Sequence, residues 1–395
     1  MFHTEAAMNF EISADQESIR DSIARICRQF GDDYWLRHDR DGGFPEEFAA
    51  SLANDGWLGI CIPEEYGGSG LGIGDAAVMM QTIARSGAGM SGASAVHINV
   101  FGLNPVVVFG THEQKQRMLP PTARGEVKTC FAVTEPNTGL NTTQLRTRAV
   151  LHGDHYRVNG SKVWISTAQV AHKVLLLART TPLEDVKKPT HGLTLFYTDL
   201  DRSTITIREI EKMGRKCVDS NELFIENFRI PVEDRIGEEG RGFEYILHGM
   251  NPERVLIAAE AVGLGQLALE RAAAYAKERI VFNRPIGQNQ GIQHPLARNW
   301  MELEAAWLMV MQAAWQYDNG LSSGAAANAA KYLAGEAGFN ACQQAVMTHG
   351  GFGYAKEYHV ERYLREIMIP RIAPISPELI LCFIAEKVLG LPRSY

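Results

Sequence analysis

The sequence predicts an α+β fold in three successive parts: an N-terminal helical domain over residues 1–125, a central antiparallel β domain over 126–237 and a C-terminal four-helix bundle over 238–395. Three observations carry this. Apolar residues recur at helical spacing in the first and last thirds, the period drops to two and β-branched residues multiply in the middle third, and glycine-rich connections separate the runs. The order helices, strands, helices narrows the field by itself.

The first helix is signalled by Ser13, an N-cap candidate, with Gln16 three residues later completing a capping box ahead of Ile19, Ile23 and Ile26. The stretch Ile62 to Gly74, IPEEYGGSGLGIG, holds too much glycine for a helix and reads as a loop, either a connector or a ligand contact. In the middle third VKTCFAV, HYRV, KVWIS, KVLLLART, LTLFYT, STITIRE and NELFIENFRIP read as strands, with Gly153-Asp154 and Asn159-Gly160 as tight hairpin turns. In the last third Leu296, Trp300, Leu303, Trp307, Val310 and Ala314 draw one apolar stripe along a long helix of an antiparallel bundle.

The 395 residues are 45% hydrophobic and 22% charged, enough for two or three domains with substantial cores. Lys and Arg number 39 against 46 Asp and Glu, a formal net charge of -7 that argues against a nucleic-acid footprint or a polybasic membrane anchor. No stretch matches the roughly 18 uncharged apolar residues of a spanning-helix candidate. The acidic start, with Glu5, Glu11, Asp15, Glu17 and Asp21, is unlike a signal peptide, so a soluble cytoplasmic protein is expected. The six cysteines show neither CxxC nor zinc-like Cys/His spacing, which fits reduced thiols and no metal site.

Three segments offer chemistry. AVTEP, Ala132 to Pro136, ends a strand in a turn whose backbone N–H groups and hydroxyl suit a planar polar ligand, although a plain strand-to-turn junction explains it equally. KVWIS places Trp164 and Ser166 on one sheet face, where an indole stacks on a ring and a hydroxyl bonds its nitrogen; a half-buried Trp on a sheet is the alternative. The run FEYILHGMNPERVLIAAEAVGL is helix-forming on both sides of Asn251-Pro252, and a proline there removes an N–H and kinks the helix. Glu253 beside it reads either as a surface ion-pair partner or as a partly desolvated carboxylate with a raised pKa, as a base working near neutrality needs.

Together AVTEP, KVWIS, YAKERIVFNRPIGQNQGIQ and HGGFGYAKEYHVERYLRE, in that order, resemble the acyl-CoA dehydrogenase family across nearly the whole chain. The resemblance implies an FAD enzyme that oxidises an acyl-CoA thioester to its 2-enoyl product. A base takes the proton alpha to the carbonyl, a hydride leaves the beta carbon for flavin N5, and electrons usually pass to an electron-transfer flavoprotein. It also implies a homo-oligomer, a tetramer built as a pair of dimers. Carried over by position, Phe131, Ala132, Val133 and Thr134 would touch the flavin's polar edge, Trp164 and Ile165 would lie at the isoalloxazine, and Ser166 would bond near N5. Arg279 matches the arginine that reaches the FAD pyrophosphate of a neighbouring subunit, a task suited to a planar, always-charged fork; alone it reads as a cation at a helix C-terminus. Gln290, Gly350 and Gly351 match further FAD contacts, and Met347 and Ser376 fall at cofactor-contacting positions. Substrate contacts fall on Asn251, Arg254, Leu140 and Ile375.

The chain departs from the family in places. Gly139, Leu140 and Asn141 stand where Gly-Ser-Asp is frequent, and Met347 replaces a glutamine. Pro374, Ile375 and Ser376 stand where many members carry the catalytic Glu followed by Gly-Thr, and proline cannot abstract a proton. A smaller set, including the isovaleryl and long-chain enzymes, carries the Glu on a helix directly before an arginine, which here is Glu253 before Arg254. The resemblance thus implies Glu253 as the base, Glu378 as the backup carboxylate, and a preference for branched or longer acyl chains over butyryl. Glu135, Glu357 and Glu366 match structural or inter-subunit positions, and His97, His248 and His349 read as hydrogen-bonding residues. The alternatives are an enoyl-CoA reductase, an oxidase or a desulfinase of the same fold, or a flavin- or CoA-binding protein that has lost catalysis.

Overall fold

The computed structural model describes residues 12–394, so the acidic start at Glu5 and Glu11 lies outside the described residues. Seven helices come first: α1 (Ala14–Cys27), α2 (Asp32–Asp41), α3 (Glu46–Asn54), α4 (Ile73–Ile83), α5 (Gly89–Phe101), α6 (Asn104–Phe109) and α7 (His112–Ala123). The capping box on α1 forms: Ser13 Oγ accepts from Gln16 N at 3.1 Å, and Gln16 Oε1 accepts from Ser13 N at 3.3 Å. Ile19, Ile23 and Ile26 are buried. The glycine-rich stretch is a loop holding one short 3-10 turn, Glu64–Tyr66, before α4 begins at Ile73.

The middle of the chain forms β1 (Thr129–Ala132), β2 (Arg148–His152), β3 (His155–Ser166), β4 (Lys173–Arg179), β5 (Leu193–Asp199), β6 (Ile205–Glu209), β7 (Ser220–Pro231) and β8 (Arg235–Ile236). They make one sheet in the order β6-β7-β3-β2-β4-β5-β8, with β1 on β4. Pairing is antiparallel except that β1 runs parallel to β4 and β2 meets β4 in parallel at Arg148 and Arg179. The long connections leave strand direction free there, whereas tight hairpins do not. In β4 Val174 and Leu176 join one core cluster and Leu175 and Leu177 the other, so this strand is buried on both faces and reads as an unbroken apolar run.

Three features of the sheet differ from the sequence expectation. HYRV and KVWIS are one strand, β3, and Asn159-Gly160 is not a hairpin turn but a bulge, where the register against β7 steps from Val158–Phe228 to Gly160–Ile225. Asn159 Oδ1 accepts from Asn227 N at 2.8 Å, and a Cβ on Gly160 would fall 2.5 Å from Thr147 Oγ1, so glycine alone fits this approach. Gly153-Asp154 does form its turn, with His152 paired to His155. β2 escapes the pattern because it buries only Ala149 and so shows no two-residue period.

The last part comprises α8 (Gly242–Glu278), the short pair β9 (Ile280–Val281) and β10 (Arg284–Pro285), α9 (Gln290–Asp318), α10 (Gly324–His349), α11 (Val360–Glu366), α12 (Met368–Ile372) and α13 (Pro377–Lys387). By internal contacts the chain divides into two compact units, with the division passing between Glu253 and Arg254 inside α8. One unit holds α1, α4, α9 to α13 and α8 from Arg254 on. The other holds α3, most of α5, α6, α7, the sheet and the start of α8.

Within the first unit α8 and α10 approach closely: a Cβ on Gly338 would lie 2.7 Å from Ala261 O. Asp318, closing α9, accepts from Ile73 N at 2.8 Å and Gly74 N at 2.9 Å, satisfying two of the unpaired N–H groups that begin α4. The stripe expected on α9 is only partly inward. Leu303, Val310 and Ala314 are buried, Leu296 and Trp307 are half-buried, and Trp300 is 57% exposed. Asn299, Ala306 and Ala313 complete the buried face instead.

Two stretches, Ile73–Phe109 and Val360–Lys387, are apolar enough to cross a membrane by length and composition. The first is broken into α4, α5 and α6 and the second into helices of 7, 5 and 11 residues, each shorter than the roughly 20 residues a spanning helix needs.

Candidate active site

In the sheet-bearing unit, the residues leaving β1 and those ending β3 are bound together. Val163 N donates to Thr134 O at 3.0 Å. Lys162, fully buried between them, spends its three ammonium protons on Val133 O at 2.9 Å, Leu177 O at 2.8 Å and Glu135 Oε1 at 3.0 Å. Glu135 in turn accepts from Arg146 N at 2.7 Å and Thr147 N at 2.9 Å. Burial pushes Lys162 down to about 8 against the pull of Glu135. Burial pushes Glu135 up, but the Lys162 charge and the two N–H donors outweigh it and hold the carboxyl below its ordinary range. Phe131 to Thr134 and Trp164 to Ser166 are thereby fixed side by side.

At Trp164 the backbone turns left-handed, φ +62, inside the register shift between Lys162 and Ile165. For a non-glycine residue such a conformation costs roughly 1–3 kcal/mol and persists only where surrounding structure imposes it. Here it leaves Ile165 in the core while the Trp164 side chain is 59% exposed and Ser166 half-buried. Ser166 Oγ accepts from Arg215 Nη2 at 3.3 Å. Leu140 is exposed in the loop after Thr138.

Glu253 and Asn251, half-buried, flank Pro252 on α8, which runs through the proline as one helix. Proline lacks the N–H that would bond the carbonyl four residues back. That carbonyl, His248 O, accepts instead from Asn104 Nδ2 at 2.9 Å. Phe109 braces the same turn, with its ring 4.3 Å from Tyr245 and 4.7 Å, edge on, from His248.

In the other unit a cavity of about 660 Å³ is lined by Arg279, Tyr275, His349, Gly350, Gly351 and Phe352 among others. His349 stacks on Tyr275 at 4.3 Å, and the Arg279 guanidinium lies 5.9 Å from the Phe352 ring centre. Burial lowers the His349 pKa, which keeps the ring neutral near pH 7. Gln290, which opens α9, lies outside this lining, and so does Met347, which is exposed on α10. Ser376 Oγ accepts from Leu379 N at 3.3 Å as the cap of α13. Ile375 O accepts from Lys331 Nζ at 2.6 Å, and Lys331 is pushed down to about 8 by burial and then by the nearby Arg254 charge. Glu378 is fully exposed in the first turn of α13, held below the usual carboxylate range by backbone N–H bonding and by Ser376.

Sequence reasoning missed Lys162, Arg215, Asn104 and Lys331. Lys162 carries a visible signal, a lysine at an inward position of an alternating strand. The other three carry none, since their partners lie far along the chain. Among the described residues no group of three His, Cys, Asp or Glu converges as a metal site would.

A flavin dinucleotide needs a flat apolar face, a donor for a ring nitrogen, a cation for its diphosphate and close backbone approach. Trp164 and Ser166 in one unit supply the first two. In the other, Arg279 at the cavity supplies the third, and Gly350 and Gly351, where an added Cβ meets nothing within 4 Å, supply the fourth. Each set, taken within its own unit, has the chemistry of its part of that group.

Comparison with known proteins gives a consistent result. The descriptions "Acyl-CoA dehydrogenase, N-terminal domain", "middle domain" and "C-terminal domain" match residues 13–126, 130–228 and 240–389. The acyl-CoA dehydrogenase FadE12 of Mycobacterium tuberculosis is 37% identical over 393 residues, 98% of this chain and 99% of its own. The caffeyl-CoA reductase-Etf complex subunit CarC of Acetobacterium woodii is 34% identical over 84% of this chain and 86% of its own. The structure of butyryl-CoA dehydrogenase from Megasphaera elsdenii matches with a TM-score of 0.91 at 28% identity, covering 97% of this chain and all of that one.

Proposed function

The chain belongs to the acyl-CoA dehydrogenase family, oxidoreductases acting on CH–CH bonds, and from that premise we propose FAD-dependent alpha,beta-dehydrogenation of an acyl-CoA with Glu253 as the base. The observation that carries the assignment is Glu253 on α8, directly before Arg254, with Pro374 at the loop position where other members carry their Glu. Phe131 to Thr134, Trp164 to Ser166, Arg279, Gln290, Met347, Gly350, Gly351 and Ser376 would hold FAD. When bound, FAD supplies at N5 the acceptor for the hydride leaving the beta carbon. Glu253 takes the alpha proton, so the substrate loses one proton and one hydride and becomes the 2-enoyl thioester. Asn251, Arg254, Leu140 and Ile375 would border the substrate. Electrons then pass to an electron-transfer flavoprotein, a reading supported by the Etf complex to which the Acetobacterium relative belongs.

That relative's name also favours a second reading, reduction of a 2-enoyl-CoA. A panel of acyl-CoA thioesters, mixed anaerobically with the purified protein while flavin absorbance is followed, tests both. The expected result is bleaching with a higher kcat/KM for branched or longer chains than for butyryl-CoA, since Pro374 and Ile375 reshape the space near the reacting carbons. A highest value for butyryl-CoA contradicts that preference, and bleaching by none of the thioesters contradicts the dehydrogenase direction.

We also propose a homo-oligomer, a tetramer built as a pair of dimers. Trp300, Met301 and Leu308 give α9 an apolar surface, 57%, 59% and 46% exposed in the single chain, of the kind that marks association. If Arg279 reaches a neighbouring subunit's FAD, cofactor binding and assembly are linked. Arg279→Ala is then expected to weaken both, read by FAD titration and sedimentation. A monomer retaining full FAD occupancy at low concentration contradicts this.

A further inference from the structure

Arg215 lies in the connection from β6 to β7 with left-handed backbone, φ +56. Its guanidinium bridges two hydroxyls: Nη1 donates to Ser94 Oγ on α5 at 2.9 Å and Nη2 to Ser166 Oγ at 3.3 Å. The base of this arm is braced, because Lys216 Nζ donates to Arg40 O at 2.7 Å and Cys217 and Val218 are buried. Arg215 lies outside every motif singled out in the sequence.

A guanidinium has donors and no acceptor, whereas a hydroxyl has one proton and two lone pairs. Ser166 therefore accepts from Arg215, and its single proton points elsewhere. Among the described residues no side chain or carbonyl takes that proton. Accepting from a charged donor also polarises the hydroxyl and strengthens it as a donor. Without a cation beside it, a half-buried serine rotates and serves a ligand's donor or acceptor alike. With Arg215 in place it serves an acceptor.

We propose that Arg215 is a positioning residue that commits Ser166 to donate, so that the cofactor site selects a ring nitrogen carrying no proton, as N5 of an oxidised flavin is. The proposal rests on the reading that FAD binds along Trp164 to Ser166, and it adds what that reading leaves open, the polarity of the site.

The test compares FAD with 5-deaza-FAD, which keeps the shape but has C–H in place of N5. Full-length protein stripped of flavin is titrated with each, with thermal unfolding of every variant as a check on folding. One committed hydrogen bond predicts a preference of about tenfold for FAD in the wild type. Ser166→Ala should abolish the preference. Arg215→Met, which leaves the hydroxyl present but free to rotate, should lower it to about threefold or less, while Arg215→Lys, still a donor-only cation, should keep most of it. If Arg215→Met does not fold, Arg215→Gln, whose amide also accepts, should show the same loss. An undiminished preference in the folded Arg215→Met or Arg215→Gln protein overturns the proposal. Equal binding of both flavins by the wild type overturns it while leaving the FAD reading intact, and binding of neither overturns both.

Discussion

Lys162→Met is expected to destabilise the sheet-bearing unit by about 3–5 kcal/mol, the usual result of removing one partner from a buried ion pair. Lys162 is fully buried, and each of its three protons has an acceptor, so methionine would strand Val133 O, Leu177 O and the Glu135 carboxylate together. The same change would release the residues leaving β1 from the end of β3, so flavin affinity should fall with stability. Glu135→Gln should cost less, because the amide oxygen still accepts from one of the N–H groups of Arg146 and Thr147.

The double variant should be less unstable than the sum of the two single ones, since the pair acts as a unit. Strict additivity in urea unfolding would contradict the account.

The pH dependence follows from Glu135. Its folded pKa lies below the unfolded value, so the stability it contributes is complete above the ordinary carboxylate range and is lost as pH falls through the folded value. In Lys162→Met the depressing charge is gone and burial favours the protonated acid, so acid no longer costs that interaction. The stability gap between wild type and variant should therefore narrow as pH is lowered below the carboxylate range. A gap that widens there would contradict the assignment of the shift to Lys162.

Much of the fold is legible in the sequence where one local signal dominates. Ser13 with Gln16 marks the start of α1, and the unbroken apolar run of β4 marks a strand buried on both faces. Asn159-Gly160 misleads because the left-handed freedom that makes a hairpin turn also makes a bulge, and only contact with Thr147 and Asn227 decides between them. Trp300 misleads because helical period places residues on a face without saying whether that face meets this chain. At the candidate site the motif residues are legible through their resemblance to a family, whereas the side chains that hydrogen-bond around them are not. Asn104 completes a carbonyl 144 residues away, and Arg215 reaches a hydroxyl 49 residues back, pairings that no local pattern encodes.

The largest expected effect belongs to Glu253. The alpha proton of a thioester is weakly acidic, and removing it requires a carboxylate held within hydrogen-bond reach of that carbon. Glu253 is half-buried beside Pro252, where Asn104 replaces the helix bond that proline forfeits and Phe109 packs against the same turn. Glu378, the nearest carboxylate to the vacated loop position in sequence, is fully exposed and stabilised in its charged form, which lowers its basicity.

Glu253→Gln keeps the size and polarity of the side chain and removes its basicity. Wild type, Glu253→Gln and Glu378→Gln should therefore be mixed anaerobically with the best acyl-CoA and the rate of flavin bleaching compared at saturating substrate. The account predicts that Glu253→Gln binds FAD and acyl-CoA normally while bleaching slows by roughly 10²–10⁴-fold, and that Glu378→Gln retains most of the rate. A Glu253→Gln protein that bleaches at near the wild-type rate, with Glu378→Gln slowed instead, would contradict it and place the base in the C-terminal loop.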